Sequence, residues 1–175
     1  NANLQRYAEA FSFLQSKNLY TVDDLENTLH SMQDKIDALK KSASAKQARI
    51  KEVDALLRMV DYYKSGKPAA DKLKSIRFEK SRQKYNSEHD DELRTFYMAE
   101  RKLKPYFKDG KLPITAWRRE REQLEQDCKD IQTELSPLHA DAKKLWAIHY
   151  NIYEVQHEQE RQNAATRQKK QEIEH

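Results

Sequence analysis

The sequence predicts an all-α protein: a long antiparallel coiled-coil hairpin, with a small helical insert at its tip and an N-terminal helix completing a three-helix base. Three observations lead there. Counting by sevens from Val22 gives Leu29, Ile36, Ala43, Ile50 and Leu57, and from Leu25 gives Met32, Leu39, Lys46, Val53 and Val60, a seam broken only by Lys46. Apolar residues alternating three and four apart line one stripe of a helix, and a strict seven-residue repeat lets that stripe follow a partner helix. A second seam follows Pro113: Ile114, Trp117, Leu124, Cys128, Ile131, Leu135, Leu138, Ala142, Leu145 and Ile152, with Arg121 and His149 as polar intrusions. Composition agrees. Two Gly and four Pro in 175 residues leave few turns, and 35% charged residues suit narrow buried seams better than a broad core.

The first element is an amphipathic helix from about residue 3 to 16, marked by Leu4, Tyr7, Ala8, Phe11 and Leu14. Asn18 tolerates the left-handed conformation that ends a helix, and Thr21 with Asp24 three residues on reads as a capping box. The next helix is expected to run from Val22 to about Lys64, where Ser65, Gly66, Lys67 and Pro68 supply a breaker. Within the insert, Ala69, Leu73 and Ile76 mark one short helix. Ser87 with Asp90 caps another, carrying Leu93, Phe96, Tyr97, Met98 and Leu103 and ended by Pro105 and then Asp109-Gly110.

Facing positions of antiparallel seams have residue numbers that add to a constant. A sum of 174 sets Leu57 against Trp117, Ile50 against Leu124, Ile36 against Leu138, Leu29 against Leu145 and Val22 against Ile152, leaving open a slip of one whole heptad. Pro137 interrupts the second helix, which is expected to bend and continue because the seam stays in phase through Leu135, Leu138 and Ala142. Past Leu145 the apolar face widens to include Trp146, Ile148, Tyr150, Tyr153 and Val155, so the aromatic first helix is expected to cover it, making a base from residues 3–16, 22–32 and 142–156. After Gln156 the chain is polar and expected to fray. The organisation is therefore 1–64 for the first helix and first stalk helix, 65–112 for the insert, and 113–175 for the second stalk helix and tail. The chain begins with Asn instead of Met and reads as a piece of something longer.

No run approaches the roughly 18 apolar residues of a membrane span, and no signal peptide is visible, so a cytoplasmic protein without membrane insertion is expected. The single cysteine, Cys128, excludes an internal disulfide and a cysteine-rich zinc site. Ser65-Gly66-Lys67-Pro68 fails as a phosphate loop, with Asp61 where the first glycine belongs and Pro68 where Ser or Thr would hold magnesium. Glu154 and His157 have di-iron spacing, but the matching copy is Glu172 with His175 in the polar tail. Glu88 to Glu92 reads as an acidic first turn complementing a helix dipole. No metal or cofactor is expected.

Charge is uneven. Lys64 to Lys84 holds eight Lys or Arg against Asp71 and Glu79, while the whole chain is only +4. Lys72, Lys74, Arg77, Lys80, Arg82 and Lys84 are the candidate DNA-binding residues, with Arg77, Lys80 and Lys84 on one face at helical spacing. Such a row neutralises backbone phosphates and reads no base edges, so its sequence specificity is weak. A merely solvated charged face is the blander reading.

The segments NLYTVDDLENTL (18–29), KQARIKEVDALLRMVDYYKSGKP (46–68), FEKSRQKY (78–85) and AERKLKPYFKDGKLPITAW (99–117) resemble the C-terminal helical region of relaxases. These are the mobilization nucleases of conjugative and mobilizable elements in Gram-positive gut bacteria. The resemblance implies a bacterial, cytoplasmic parent protein whose N-terminal domain nicks DNA at a transfer origin with a tyrosine nucleophile and a histidine-bound metal. No His-hydrophobe-His motif occurs here, and His30, His89, His139, His149, His157 and His175 are dispersed, so no catalytic residue carries over. The expected function is a non-catalytic accessory region contributing DNA holding, docking of relaxosome or coupling proteins, or self-association as a homodimer in conjugative transfer. The alternative is a structural coiled-coil spacer or protein-interaction module without DNA contact.

Overall fold

The computed structural model describes residues 2–173. They form α1 (Ala2–Ser16), α2 (Val22–Ser75), α3 (Glu79–Glu88), α4 (Asp90–Leu103) and α5 (Ile114–Ile173), with a 3-10 turn at Lys104–Tyr106. Among the described residues there is no β-strand, only an isolated bridge between Lys108 and Lys111. The chain divides into two compact units. One comprises the residues up to Lys41 with those from Ile131 onward, the other Ser42–Asp130. The all-α fold with two long helices is as the seams require.

In the first unit, α1 ends as its sequence dictates: Asn18 has φ 57°, and the Leu19 N–H reaches back 3.0 Å to the Leu14 carbonyl. The capping box also forms. The Asp24 N–H donates to Thr21 Oγ1 at 3.1 Å, and the Thr21 N–H to Asp24 Oδ2 at 3.2 Å, satisfying two helix-end donors. Leu19, Leu25, Leu29 and Leu145 make the core, with Phe13, Leu14, Met32, Ile148 and Ile152 packed against it. Burying each leucine contributes roughly 1.5–3 kcal/mol. The antiparallel register fits a sum of 174, since Leu29 shares its cluster with Leu145 and Glu26 meets His149 at 3.0 Å.

Three helices do meet in this unit, yet α1 covers less than its sequence suggests. Phe13 and Leu14 pack, whereas Leu4, Tyr7 and Phe11 are exposed, Leu4 to 78%. Trp146, Tyr150, Tyr153 and Val155 of α5 also remain exposed. The anchor of α1 is its C-terminal end, next to the tight connection at 17–21, and a groove of about 700 Å³ lies between Tyr7, Phe11 and Leu14 on one side and Ile148 and Ile152 on the other. The polar tail also departs from expectation. α5 continues through Pro137 and on to Ile173. Residues 157–173 contain neither Gly nor Pro, and pairs one turn apart, such as Gln162 with Glu158 and His157 with Glu160, support the helix where no core does.

In the second unit, Val53, Val60, Leu103 and Trp117 form one cluster and Ala69, Ala70, Leu93 and Phe96 another, with Tyr63 packing against both. Here the expected stop at Lys64 is wrong, because α2 passes through Gly66 and Pro68 to Ser75. The supposed short helix at Ala69–Ile76 is its last turns. Gly66 is a contact residue rather than a breaker: a Cβ there would lie 2.6 Å from Phe96 Cβ and 3.2 Å from the Glu92 carbonyl oxygen. Gly66, Ala69 and Ala70 are one turn apart on one small-residue face, and α4 seats Leu93 and Phe96 against it. That burial offsets the hydrogen bond Pro68 withholds from the Lys64 carbonyl.

The cap assigned to Ser87 is likewise corrected. Ser87 lies inside α3, its hydroxyl donating to the Gln83 carbonyl at 3.0 Å, and α4 begins at Asp90 after a break at His89. No residue of α3 is buried, so no apolar periodicity announced it. The link into α5 turns at Asp109 and Gly110, with φ 50° and 72°, closed by paired 2.9 Å bonds between Lys108 and Lys111. Two consecutive positive φ values suit Asp-Gly.

Ion pairs flank the seam. Arg49 grips Glu120 with two bonds, 2.7 and 3.2 Å; Lys46 meets Asp127 at 3.0 Å, and Arg121 bridges Asp54 and Glu125. The polar intrusions Lys46 and Arg121 are thus placed beside carboxylates of the facing helix. The Arg49 bond holds the Glu120 carboxyl below its ordinary 4.5, and bonds from Gln123 and Lys46 lower Asp127.

Three outcomes follow. Gly66→Ala gains about 1 kcal/mol of helix propensity, but the clash, with Phe96 Cβ and a backbone oxygen that cannot swing away, costs about 1–3 kcal/mol. A net lower thermal midpoint is expected, and a raised one would contradict the packing. Leu29→Asp places a carboxylate in a site that is 1% exposed and melts the first unit, read as loss of helical circular dichroism at temperatures where the parent stays folded. Finally, a depressed carboxyl contributes stability above its unfolded value and loses it as pH falls through the folded one. The thermal midpoint therefore drops as pH falls below about 4.5, and drops less in Glu120→Gln. The groups are substantially solvated, so the effect is small.

Candidate nucleic-acid interface

The end of α2, the link at 76–78 and α3 carry the six candidate cations. Lys72 and Lys74 lie in the last turn of α2, Arg77 in the link, and Lys80, Arg82 and Lys84 on α3; all six are exposed. The sequence grouping of Arg77, Lys80 and Lys84 on one helical face is changed by the break, which leaves Lys80 and Lys84 one turn apart and moves Arg77 off the helix. Leu73 of α2 and Tyr85 of α3 pack against the Ala69–Phe96 cluster, so the basic turn is pinned at both ends to α4. Lys72 Nζ sits 5.2 Å from the centre of the Tyr85 ring, and Tyr85 lies 4.2 Å from His89. The Arg82 N–H closes the first turn of α3 on the Phe78 carbonyl at 3.0 Å.

Most cations of this region stand without a carboxylate partner, as do others among the described residues such as Lys102, Lys104, Arg118 and Arg119. Lys46, Arg49 and Arg121 along the seam are matched to carboxylates, as is Arg94 with Asp90 and Asp91, whereas Lys84 reaches Glu88 only at 3.8 Å. Among the described residues, Lys74, Arg77, Lys80 and Arg82 make no ion pair. Their mutual repulsion stands uncompensated except by Glu79, and an incoming polyanion relieves it.

One residue here escaped the sequence reading. Phe78, at the start of α3, is 77% exposed among these cations. A large aromatic inside a Lys/Arg run, outside any apolar period, was the available signal.

The other candidates resolve into structure. Ser65 to Pro68 is helical, so its backbone N–H groups belong to a helix instead of a phosphate-binding loop. Asp90, Asp91 and Glu92 occupy the first turn of α4, where Arg94 and His89 engage them. Glu154 and His157 lie on α5, while His175 falls outside the described residues. Among the described residues no group of His, Cys, Asp and Glu is placed to hold a metal, and no helix is long and apolar enough to cross a membrane. Comparison with protein-family models, curated proteins and solved structures finds no match.

Proposed function

We propose that this chain is the non-catalytic helical region of a relaxase, and that its basic turn holds nucleic-acid phosphates during conjugative transfer. The observation carrying the reading is the set of four unpaired, solvent-facing cations, Lys74, Arg77, Lys80 and Arg82, fixed on a turn between two packed helices. The segment resemblance supplies the biological setting. Binding by this row of exposed cations engages phosphates, so sequence preference is weak and salt dependence steep.

A second reading has its own support. Tyr7 and Phe11 of α1 and Val155 of α5, all exposed, line one apolar groove suited to docking a relaxosome or coupling protein, or a second copy. Sedimentation across a concentration series distinguishes the variants, a constant monomer mass excluding the second copy.

Titration of labelled DNA at low and moderate salt tests the first reading. Four phosphate contacts give a slope of log affinity on log salt of about −4 on duplex. Lys80→Glu with Arg82→Glu leaves the melt unchanged, since both side chains are exposed, and weakens binding roughly tenfold or more. Absence of binding at low salt would remove the DNA role.

A further inference from the structure

We infer that Phe78 is a stacking platform for unpaired bases, so that the basic turn prefers single-stranded nucleic acid to duplex. This rests on the reading of the turn as a phosphate-binding site and adds the form of the ligand. Phe78 is 77% exposed, the highest exposure of any aromatic residue in the second unit. An apolar ring held in water at a helix start loses the benefit of burial, and no neighbouring cluster takes it in. Cations outnumber the one adjacent carboxylate, Glu79: Lys74 and Arg77 precede Phe78, Lys80 follows Glu79, and Arg82 lies one turn along α3.

Two further rings lie on and just beyond α3: Tyr85 and His89 meet at 4.2 Å with their planes tilted by 31°, and Lys72 Nζ sits over Tyr85 at 5.2 Å. Tyr85 and His89 are partly buried, so Phe78 is the ring open to an incoming base. Single-strand binders combine these two features, cations that follow the phosphates and aromatic faces that any base can stack on. A duplex keeps its bases stacked on one another, so it gains only the phosphate contacts.

The test uses the full chain with labelled oligo(dT) and a mixed-sequence duplex of the same length at low salt. The expected result is tighter binding of oligo(dT), a loss of roughly fivefold or more in Phe78→Ala, recovery in Phe78→Trp, and duplex binding unchanged within about twofold. Circular dichroism checks that both variants fold. Equal losses on the two probes, or none on oligo(dT), overturn the stacking role while leaving the phosphate site standing. If the parent chain binds neither probe at low salt, both readings fall together.

Discussion

In each compact unit the pairing of α2 with α5 is the contact on which the remaining elements depend. Leu25 and Leu29 meet Leu145 in one, and Val53 and Val60 meet Trp117 in the other. These side chains are almost completely removed from water, and each contributes more than a solvated ion pair, worth about 0–1 kcal/mol. The flanking pairs, Arg49 with Glu120 and Lys46 with Asp127, therefore serve register more than strength. α1 adds only its last turn to this foundation, α3 holds on through the half-buried Tyr85, and α4 packs Leu93 and Phe96 on one face of α2 and Leu103 into the cluster with Trp117.

That face explains how a helix carries Gly and Pro without stopping. Glycine normally weakens a helix by leaving the backbone free, and proline by withholding a donor. At Gly66 the missing side chain is what lets Phe96 and the α4 backbone come close, so packing converts a local weakness into a contact. The same contact fixes the position of the basic turn, because Leu73 and Tyr85, on either side of it, belong to the cluster that Phe96 completes. A region of repelling cations is thereby kept ordered by apolar burial immediately beside it.

The elements legible in the sequence are those whose signal is local or periodic. The heptads of α2, the seam of α5, the capping box at Thr21 and Asp24, the left-handed Asn18 and the Asp109-Gly110 turn all follow from residue type and spacing. What failed depended on tertiary context or lacked an apolar pattern. Gly66 and Pro68 looked like punctuation because α4 was not yet in place; α3 was invisible because none of its residues is buried; the end of α5 looked too polar to hold, although its residues are good helix formers. The six cations are legible as a run, but not their division between α2, the link and α3, and Phe78 carries no apolar periodicity that would single it out among them.

The seam can be tested without reference to function. Cysteines introduced as Leu29→Cys with Leu145→Cys, in a Cys128→Ser background, are expected to form an intramolecular disulfide on mild oxidation, at a yield independent of protein concentration. Leu29→Cys with Leu138→Cys, one heptad away, is the control. Efficient bridging of 29 to 138 and none of 29 to 145 would contradict the register, and a bridge that forms only between chains would contradict closure of the seam within one molecule.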